Sequence, residues 1–192
     1  MPEHAAPAMV SPITTSYPSV AGSPLTLADE STLTKTLVRS DQAQFGLTFG
    51  HSRMEGDAIV AATRPDEWTI LGAAEAVAAA EAAIDRGGFT SVIPWTHGRA
   101  CFRLSGADAS RMLEKVCGID WSDHMTPDGA VVSASVALTT CDIIRNDIIR
   151  NDIAAGGAAG TPSYLLVMDR SFAQYLFDAL IDAGQEFGIA VG

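Results

Sequence analysis

Residues 99–121, RACFRLSGADASRMLEKVCGIDW, decide how the rest of the chain is read. Arg99, Cys101 and Arg103 alternate with Ala100, Phe102 and Leu104, the period-two pattern of a half-buried strand. Ser105-Gly106 supplies a turn. Ala109, Met112, Leu113 and Val116 then fall at i, i+3, i+4 and i+7, one apolar face of a helix over 107–117, and Gly118 is a good stop. The pattern predicts that Phe102, Leu104, Met112 and Leu113 are buried.

Working outward, 163–168 (SYLLVM) is a strand and 170–187 a helix, with Phe172, Tyr175, Leu176, Ala179, Leu180, Ala183 and Phe187 as its apolar stripe. Ser171 can cap that helix and Gly188 ends it. A strand of small and β-branched residues covers 130–138. Upstream, strands are predicted over 45–51, 58–63, 68–71 and 89–95, the first two joined by the turn 54–57. Pro94 marks the strand at 89–95 as an edge or as ending there. Alanine and glutamate make 73–86 a helix, with Val77, Ala80 and Ile84 on one face and Gly87-Gly88 as the stop. Over 25–40 the pattern is weak, and Leu33, Leu37 and Val38 could line a short helix. Strands in pairs and threes between helices favour hairpins over crossovers. The fold class is therefore α+β, a mainly antiparallel sheet layered with helices. Five prolines in the first 24 residues oppose regular hydrogen bonding, so 1–42 is read as a proline-rich, largely extended or disordered arm and 43–192 as a single α+β domain.

One local oddity stands out. Residues 143–147 and 148–152 are the same pentapeptide, IIRND, in tandem. Strand side chains alternate with period two, so a five-residue repeat would turn its second copy onto the opposite face. One copy is expected to pair and the other to bulge into a loop extended by AAGGAAG at 154–160.

Hydrophobic residues make up 47% of the 192, enough for one packed domain. Only 18% are charged, which fits either a surface partly covered by partner chains or simple dilution by alanine and glycine. The net charge of −11 repels a phosphate backbone, and no Lys/Arg cluster offsets it, so nucleic acid is not an expected partner. Neither a secretory signal nor a bilayer-spanning run is present in the sequence, and a cytoplasmic location without membrane contact is expected. Cys101, Cys117 and Cys141 are odd in number and lack a C-x-x-C spacing, so they read as small buried hydrophobes.

Chemistry-bearing motifs are scarce. Histidines 4, 51, 97 and 124 are scattered, with no i, i+4 pair, so no metal site is expected. G-x-S-x-G, G-x-G-x-x-G and phosphate-loop patterns do not occur. Asp66-Glu67 reads as a solvated turn, and Trp68, Trp95 and Trp121 as core or as stacking surfaces. No catalytic or cofactor-binding residue is nominated. Three residues are candidates for contact with a partner: His97 in the loop Trp95-Thr96-His97-Gly98, and Arg145 and Arg150, unusual cations in an acidic chain.

The order of segments carries more than any single motif. RPDEWTIL at 64–71, VIPW at 92–95, R-x-x-F-R-L-S-G-x-D-A at 99–109, Pro127-x-Gly129, IIRND, and SYLLVMDRSFAQYL at 163–176 before a helix ending in EFG together resemble the gamma subunit of heterotetrameric sarcosine oxidase. That subunit is a small relative of the folate-binding domain of the glycine-cleavage T-protein aminomethyltransferases. The resemblance covers roughly 44–188; the proline-rich arm and the doubled IIRND depart from it. It implies the aminomethyltransferase folate-binding fold and a complex that oxidatively demethylates sarcosine to glycine. FAD, FMN, NAD and tetrahydrofolate would sit on other subunits, and this chain would be an accessory subunit beside larger alpha, beta and delta partners. The alternative is a stand-alone tetrahydrofolate-dependent methyl- or aminomethyl-transfer or folate-binding protein; a third reading is an α+β interaction module with an unrelated partner.

Overall fold

The structure, a computed structural model, describes residues 8–17, 23–147 and 160–192. His4, Arg150 and the second IIRND copy lie outside them. Eleven strands form two sheets among the described residues. β1 (Leu25–Asp29), β7 (Arg99–Gly106), β8 (Val131–Val136), β9 (Thr139–Arg145), β10 (Ser163–Asp169) and β11 (Ile189–Val191) make a six-stranded sheet in the order β11-β1-β7-β10-β9-β8. β2 (Thr34–Ser40), β3 (Ser52–Glu55), β4 (Ala58–Arg64), β5 (Glu67–Gly72) and β6 (Thr90–Pro94) make a five-stranded sheet in the order β3-β4-β5-β2-β6. Every pairing is antiparallel except β1 with β11. Pro94 sits on the edge strand β6, where no ladder bond is lost.

The two sheets stack face to face. Ile59, Ala61 and Leu71 of the smaller sheet meet Cys101, Val131, Ile144, Leu165 and Val167 of the larger. Helix α1 (Ala74–Ala82) covers the outer face of the smaller sheet through Val77 and Ala80, with Ile84 just beyond its end. Helices α2 (Ala109–Val116) and α3 (Ala173–Gly184) cover the outer face of the larger. Period two does this sorting. On β7, Ala100, Phe102 and Leu104 point to the helices while Cys101 points to the other sheet; on β10, Tyr164, Leu166 and Met168 point one way and Leu165 and Val167 the other. Phe102, Leu104, Met112 and Leu113 are wholly buried, each contributing roughly 1.5–3 kcal/mol relative to exposure.

Several expectations are corrected. The expected layering of a mainly antiparallel sheet with helices holds, built as two stacked sheets, and the strand at 99–104, expected to be half-buried, buries Cys101 on one face and Ala100, Phe102 and Leu104 on the other. Residues 25–40, read as arm and a possible short helix, form β1 and β2, each inside a sheet. Residues 45–51 are loop, because Phe45 and Gly46 adopt φ of +55° and +61° and break extension; the strand starts at Ser52. The last helix opens with a single 3-10 turn, Arg170–Phe172, whose cap is Asp169 accepting from the Ser171 N–H at 2.9 Å, so Ser171 is the donor and not the cap. Its buried face is Ala173, Leu176, Phe177, Leu180 and Gly184, which leaves Phe172 and Tyr175 about half exposed. The first IIRND copy ends β9 and pairs with both β8 and β10. Residues 8–17 carry no regular structure but pack on α3: Ile13 and Tyr17 join its core, with Tyr17 and Phe177 ring centres 5.3 Å apart.

Candidate functional site

A cavity of about 900 Å³ lies where turns of both sheets converge. The β1–β2 connection gives Asp29, Glu30 and Leu33; the β3–β4 hairpin gives Arg53, Gly56 and Asp57; Arg103 rises from β7, and Asp128 and Asn146 close the far side. Backbone bonds hold this seam together. Ser52 N–H donates to the Gly129 carbonyl at 2.7 Å and Val131 N–H to the Gly50 carbonyl at 2.8 Å, tying the edge of one sheet to the edge of the other. Arg103 is placed by strand alternation opposite the Phe102 face, and its guanidinium forks onto Glu30 at 2.5 and 3.0 Å while donating to Ser163 Oγ at 3.2 Å. Asp29 accepts from the Ser31 N–H at 2.9 Å and from Ser11 Oγ. Arg53 bonds Glu55 at 2.8 Å, and Asp128 accepts from the Asp147 N–H at 2.8 Å. These carboxylates and guanidiniums can orient a polar ligand by charge and hydrogen bonding.

Lys35 and Glu67 are charged residues buried where no local pattern predicts it. Lys35 on β2 is wholly buried, and its ammonium donates to the carbonyls of Ser31 and Leu33, both at 2.8 Å. Burial pulls its pKa below 10.5, against the opposing pull of Cys101 and Asp29. Glu67, read as solvated, is 2% exposed and sits between Arg39 at 3.0 Å and Arg64 at 2.5 Å. Cys101, Cys117 and Cys141 are all buried with free thiols. Burial pushes the Cys101 and Cys141 thiols up to about 12, so they stay protonated at neutral pH.

The candidate contact residues divide. His97 is exposed on the turn between β6 and β7. Arg145 is 5% exposed, and its fork is engaged within the chain. It donates to the Thr126 carbonyl at 2.5 Å, holds Asp147 through Nε and Nη2 at 3.0 and 2.8 Å, and meets Asp123 at 2.7 Å. Burial lowers its pKa, but the bonds to Asp147 and Asp123 outweigh that and raise it. Asp147 in turn accepts from the Ser163 N–H at 3.0 Å, so the cluster joins the end of β9 to the start of β10. Among the described residues, no group of three His, Cys, Asp or Glu is arranged to hold a metal, and no helix is long and apolar enough to cross a membrane.

No protein-family model matches the chain, and no curated protein matches it in sequence. Solved structures do match. A chain of heterotetrameric sarcosine oxidase from Corynebacterium sp. U-96, solved with pyrrole 2-carboxylate, superposes with a TM-score of 0.66 at 20% identity, covering 90% of this chain and 90% of that one. Glycine cleavage system aminomethyltransferase T from Bartonella henselae superposes with a TM-score of 0.62 at 16% identity over 88% of this chain, which spans 48% of that protein. The two stacked antiparallel sheets with their covering helices are thus the α+β fold shared by a chain of the sarcosine oxidase heterotetramer and by part of the aminomethyltransferase, the fold that the order of sequence segments predicts.

Proposed function

We propose that the chain is an accessory subunit of a sarcosine-oxidase-like complex in the cytoplasm, one that oxidatively demethylates sarcosine to glycine. The observation that carries this is length. The likeness to the sarcosine oxidase chain runs over 90% of both partners, whereas the aminomethyltransferase is matched over only 48% of its own length. A chain matched over nine-tenths of both lengths is best read as a counterpart of that subunit. In this reading the larger alpha and beta chains and the delta chain are the partners, and they carry FAD, FMN, NAD and tetrahydrofolate. His97, exposed on its turn, is the candidate contact residue that such a partner can reach. Co-expression with the larger subunits tests the proposal: the chain should co-purify with them and raise their yield or activity. A chain that does neither is not their subunit.

A second reading is favoured by the cavity of about 900 Å³, large enough for a folate-sized ligand. Calorimetry of the isolated chain with tetrahydrofolate separates the two. Micromolar binding would support a stand-alone folate-dependent protein, and its absence favours the accessory role.

A further inference from the structure

One end of the six-stranded sheet gathers exposed apolar side chains beside arginines. Arg99, the first residue of β7, pairs with Asp169, the last of β10. The β9–β10 register runs to Met168 opposite Cys141, so the turn between β8 and β9 opens at the same end. Arg170 N–H donates to the Gly98 carbonyl at 3.1 Å, and its Nη2 donates to the Val10 carbonyl at 2.7 Å, drawing the 95–98 turn and the N-terminal segment to this place. Around it Leu138 is 91% exposed, Val10 70%, Phe172 53% and Tyr175 51%. Isolated exposed apolar residues are ordinary, but a cluster on one end is not.

Leu138 carries a second signal. It and Ala137 form a two-residue hairpin turn with φ of +68° and +43°. Asn-Gly is the sequence that fits such a turn, since a branched side chain at positive φ crowds the backbone. The chain instead places a leucine there, strained and almost wholly in water. The tip is firmly based: Ala137 N–H donates to the Val116 carbonyl at 2.8 Å, and Val136 beneath it is buried. An apolar knob on a rigid base loses little conformational freedom when it is bound.

Charge says what kind of surface it meets. The Arg99 guanidinium lies over the Trp95 ring at 4.0 Å, Arg170 is beside it, and His97 is exposed between them. Among the described residues neither arginine forms an ion pair; Asp169, its pKa held low chiefly by the Ser171 hydroxyl and N–H at 2.6 and 2.9 Å and further by the Arg99 charge, sits beside them. In a chain of net charge −11, Arg99 and Arg170 are two cations gathered at one end. A second copy docked face to face on it would set like charges together, and an anionic lipid surface would be repelled by the rest of the chain.

We propose that this end of the sheet, with Leu138 and Phe172 as apolar anchors and Arg99 and Arg170 as its charged rim, docks into an apolar socket edged by carboxylates on a larger partner subunit. The proposal rests on the reading of the chain as a subunit. The full chain is co-expressed with the larger subunits of a sarcosine-oxidase-type complex, as wild type and as Leu138→Asn, Leu138→Asp, Phe172→Asp, Arg99→Glu and the control Phe89→Asp, which alters an exposed aromatic beside β6. Wild type and Phe89→Asp should be retained equally. Leu138→Asp and Phe172→Asp should be retained at least tenfold less, with unchanged circular dichroism. Leu138→Asn should raise the thermal midpoint, because asparagine accepts positive φ, and still lose binding, which separates docking from folding. Arg99→Glu should weaken capture and reduce its salt dependence. If wild type is captured and Leu138→Asn and Phe172→Asp bind as well as it does, the surface is wrong and the subunit reading stands. If wild type is not captured, the subunit reading itself fails. Self-association, or binding to phosphatidylserine vesicles, that is lost in Leu138→Asp would overturn the assigned occupant.

Discussion

Arg145→Ala removes the group on which the junction of β9 and β10 depends, and the size of the effect can be worked from its contacts. The side chain is 6% exposed and its partner Asp147 11%. Removing the guanidinium leaves the Asp147 carboxylate buried with, among the described residues, the Ser163 N–H as a donor, and takes the 2.5 Å bond from the Thr126 carbonyl. Breaking a buried pair by deleting one partner costs about 3–5 kcal/mol, because the charge left behind stays desolvated. The 2.7 Å contact to Asp123 adds little, since that carboxylate is 88% exposed and returns to water. For a chain of this length each kcal/mol lowers the midpoint by roughly 2–4 °C, so a fall on the order of 10 °C is expected by calorimetry or circular dichroism. Arg53→Ala is the reference. Its 2.8 Å pair with Glu55 has side chains 48% and 32% exposed, and its loss should cost under about 1 kcal/mol. Arg145→Lys should fall between, because an ammonium keeps the charge but cannot span Thr126 and Asp147 with a planar fork. If Arg145→Ala unfolds within about 1 kcal/mol of Arg53→Ala in urea, the cluster does not hold the junction and the reasoning is wrong.

Three further tests address other parts of the fold. Gly106 has φ of +139°, and a Cβ there would stand 2.0 Å from the Pro24 carbonyl oxygen and 2.9 Å from Leu25 Cα. Gly106→Ala should cost about 3 kcal/mol or more by pushing β1 off β7, read as lost soluble yield and a lower urea midpoint; a wild-type midpoint would count against this strand packing. The buried thiols set an alkaline limit. Because Cys101 and Cys141 are raised from 9.0 to about 12 on folding, the unfolded chain loses those protons first, and the stabilisation, complete below pH 9.0, is lost as pH rises toward 12. The double Cys→Ala variant should show a flatter alkaline decline in thermal midpoint, and an unchanged slope would refute the assignment. At Glu67 the asymmetry of exposure decides the order of effects. Arg39 and Arg64 are 57% and 43% exposed and can return to water, whereas Glu67 cannot. Removing both arginines should therefore destabilise more than Glu67→Gln, and the reverse order in urea unfolding would sink the argument.

The elements legible in the sequence are those whose pattern is local. The alternation in 99–104 and the helical spacing in 109–116 need no knowledge of what packs on them. What escaped reading depended on distant partners. The second sheet was written into the continuous apolar runs AIVA at 58–61 and YLLVM at 164–168, since a strand buried on both faces loses its alternation, but such a run does not say what covers each face. β2 was hidden by Lys35, a charge that reads as surface and is buried because two carbonyls of the preceding turn, Ser31 and Leu33, reach its ammonium. The cavity drew its lining from turns far apart in sequence, and Arg103 entered only as the alternate face of a strand read as half-buried. Arg145 and Arg150 stand in identical pentapeptides, so no local pattern could rank them. Arg145 is held by the carbonyl of Thr126 and the carboxylate of Asp123, both supplied by the turn before β8.

The misplaced stripe of the last helix bears on function as well as on packing. A regular helix from residue 170 would bury Phe172 and Tyr175 together with Leu176 and Leu180. The 3-10 turn capped by Asp169 starts the α-helix at Ala173, and burial passes to Ala173, Phe177 and Gly184. Phe177 then packs edge-on against Phe102 with ring centres 5.1 Å apart, deep in the core of the strand-turn-helix at 99–121. The core is complete without the two aromatics that the spacing assigned to it. Among the described residues, the core thus makes little use of Phe172 and Tyr175, or of Leu138 on its strained turn. Side chains that cost solvation in the isolated chain and return nothing to its core are what a surface buried in an assembly would carry. If the isolated chain tolerates Phe172→Asp, Tyr175→Asp and Leu138→Asp together with no loss of thermal midpoint, that division between fold and contact surface holds. A loss comparable to that of a core substitution such as Phe102→Ala, about 3–5 kcal/mol, would return these residues to the fold.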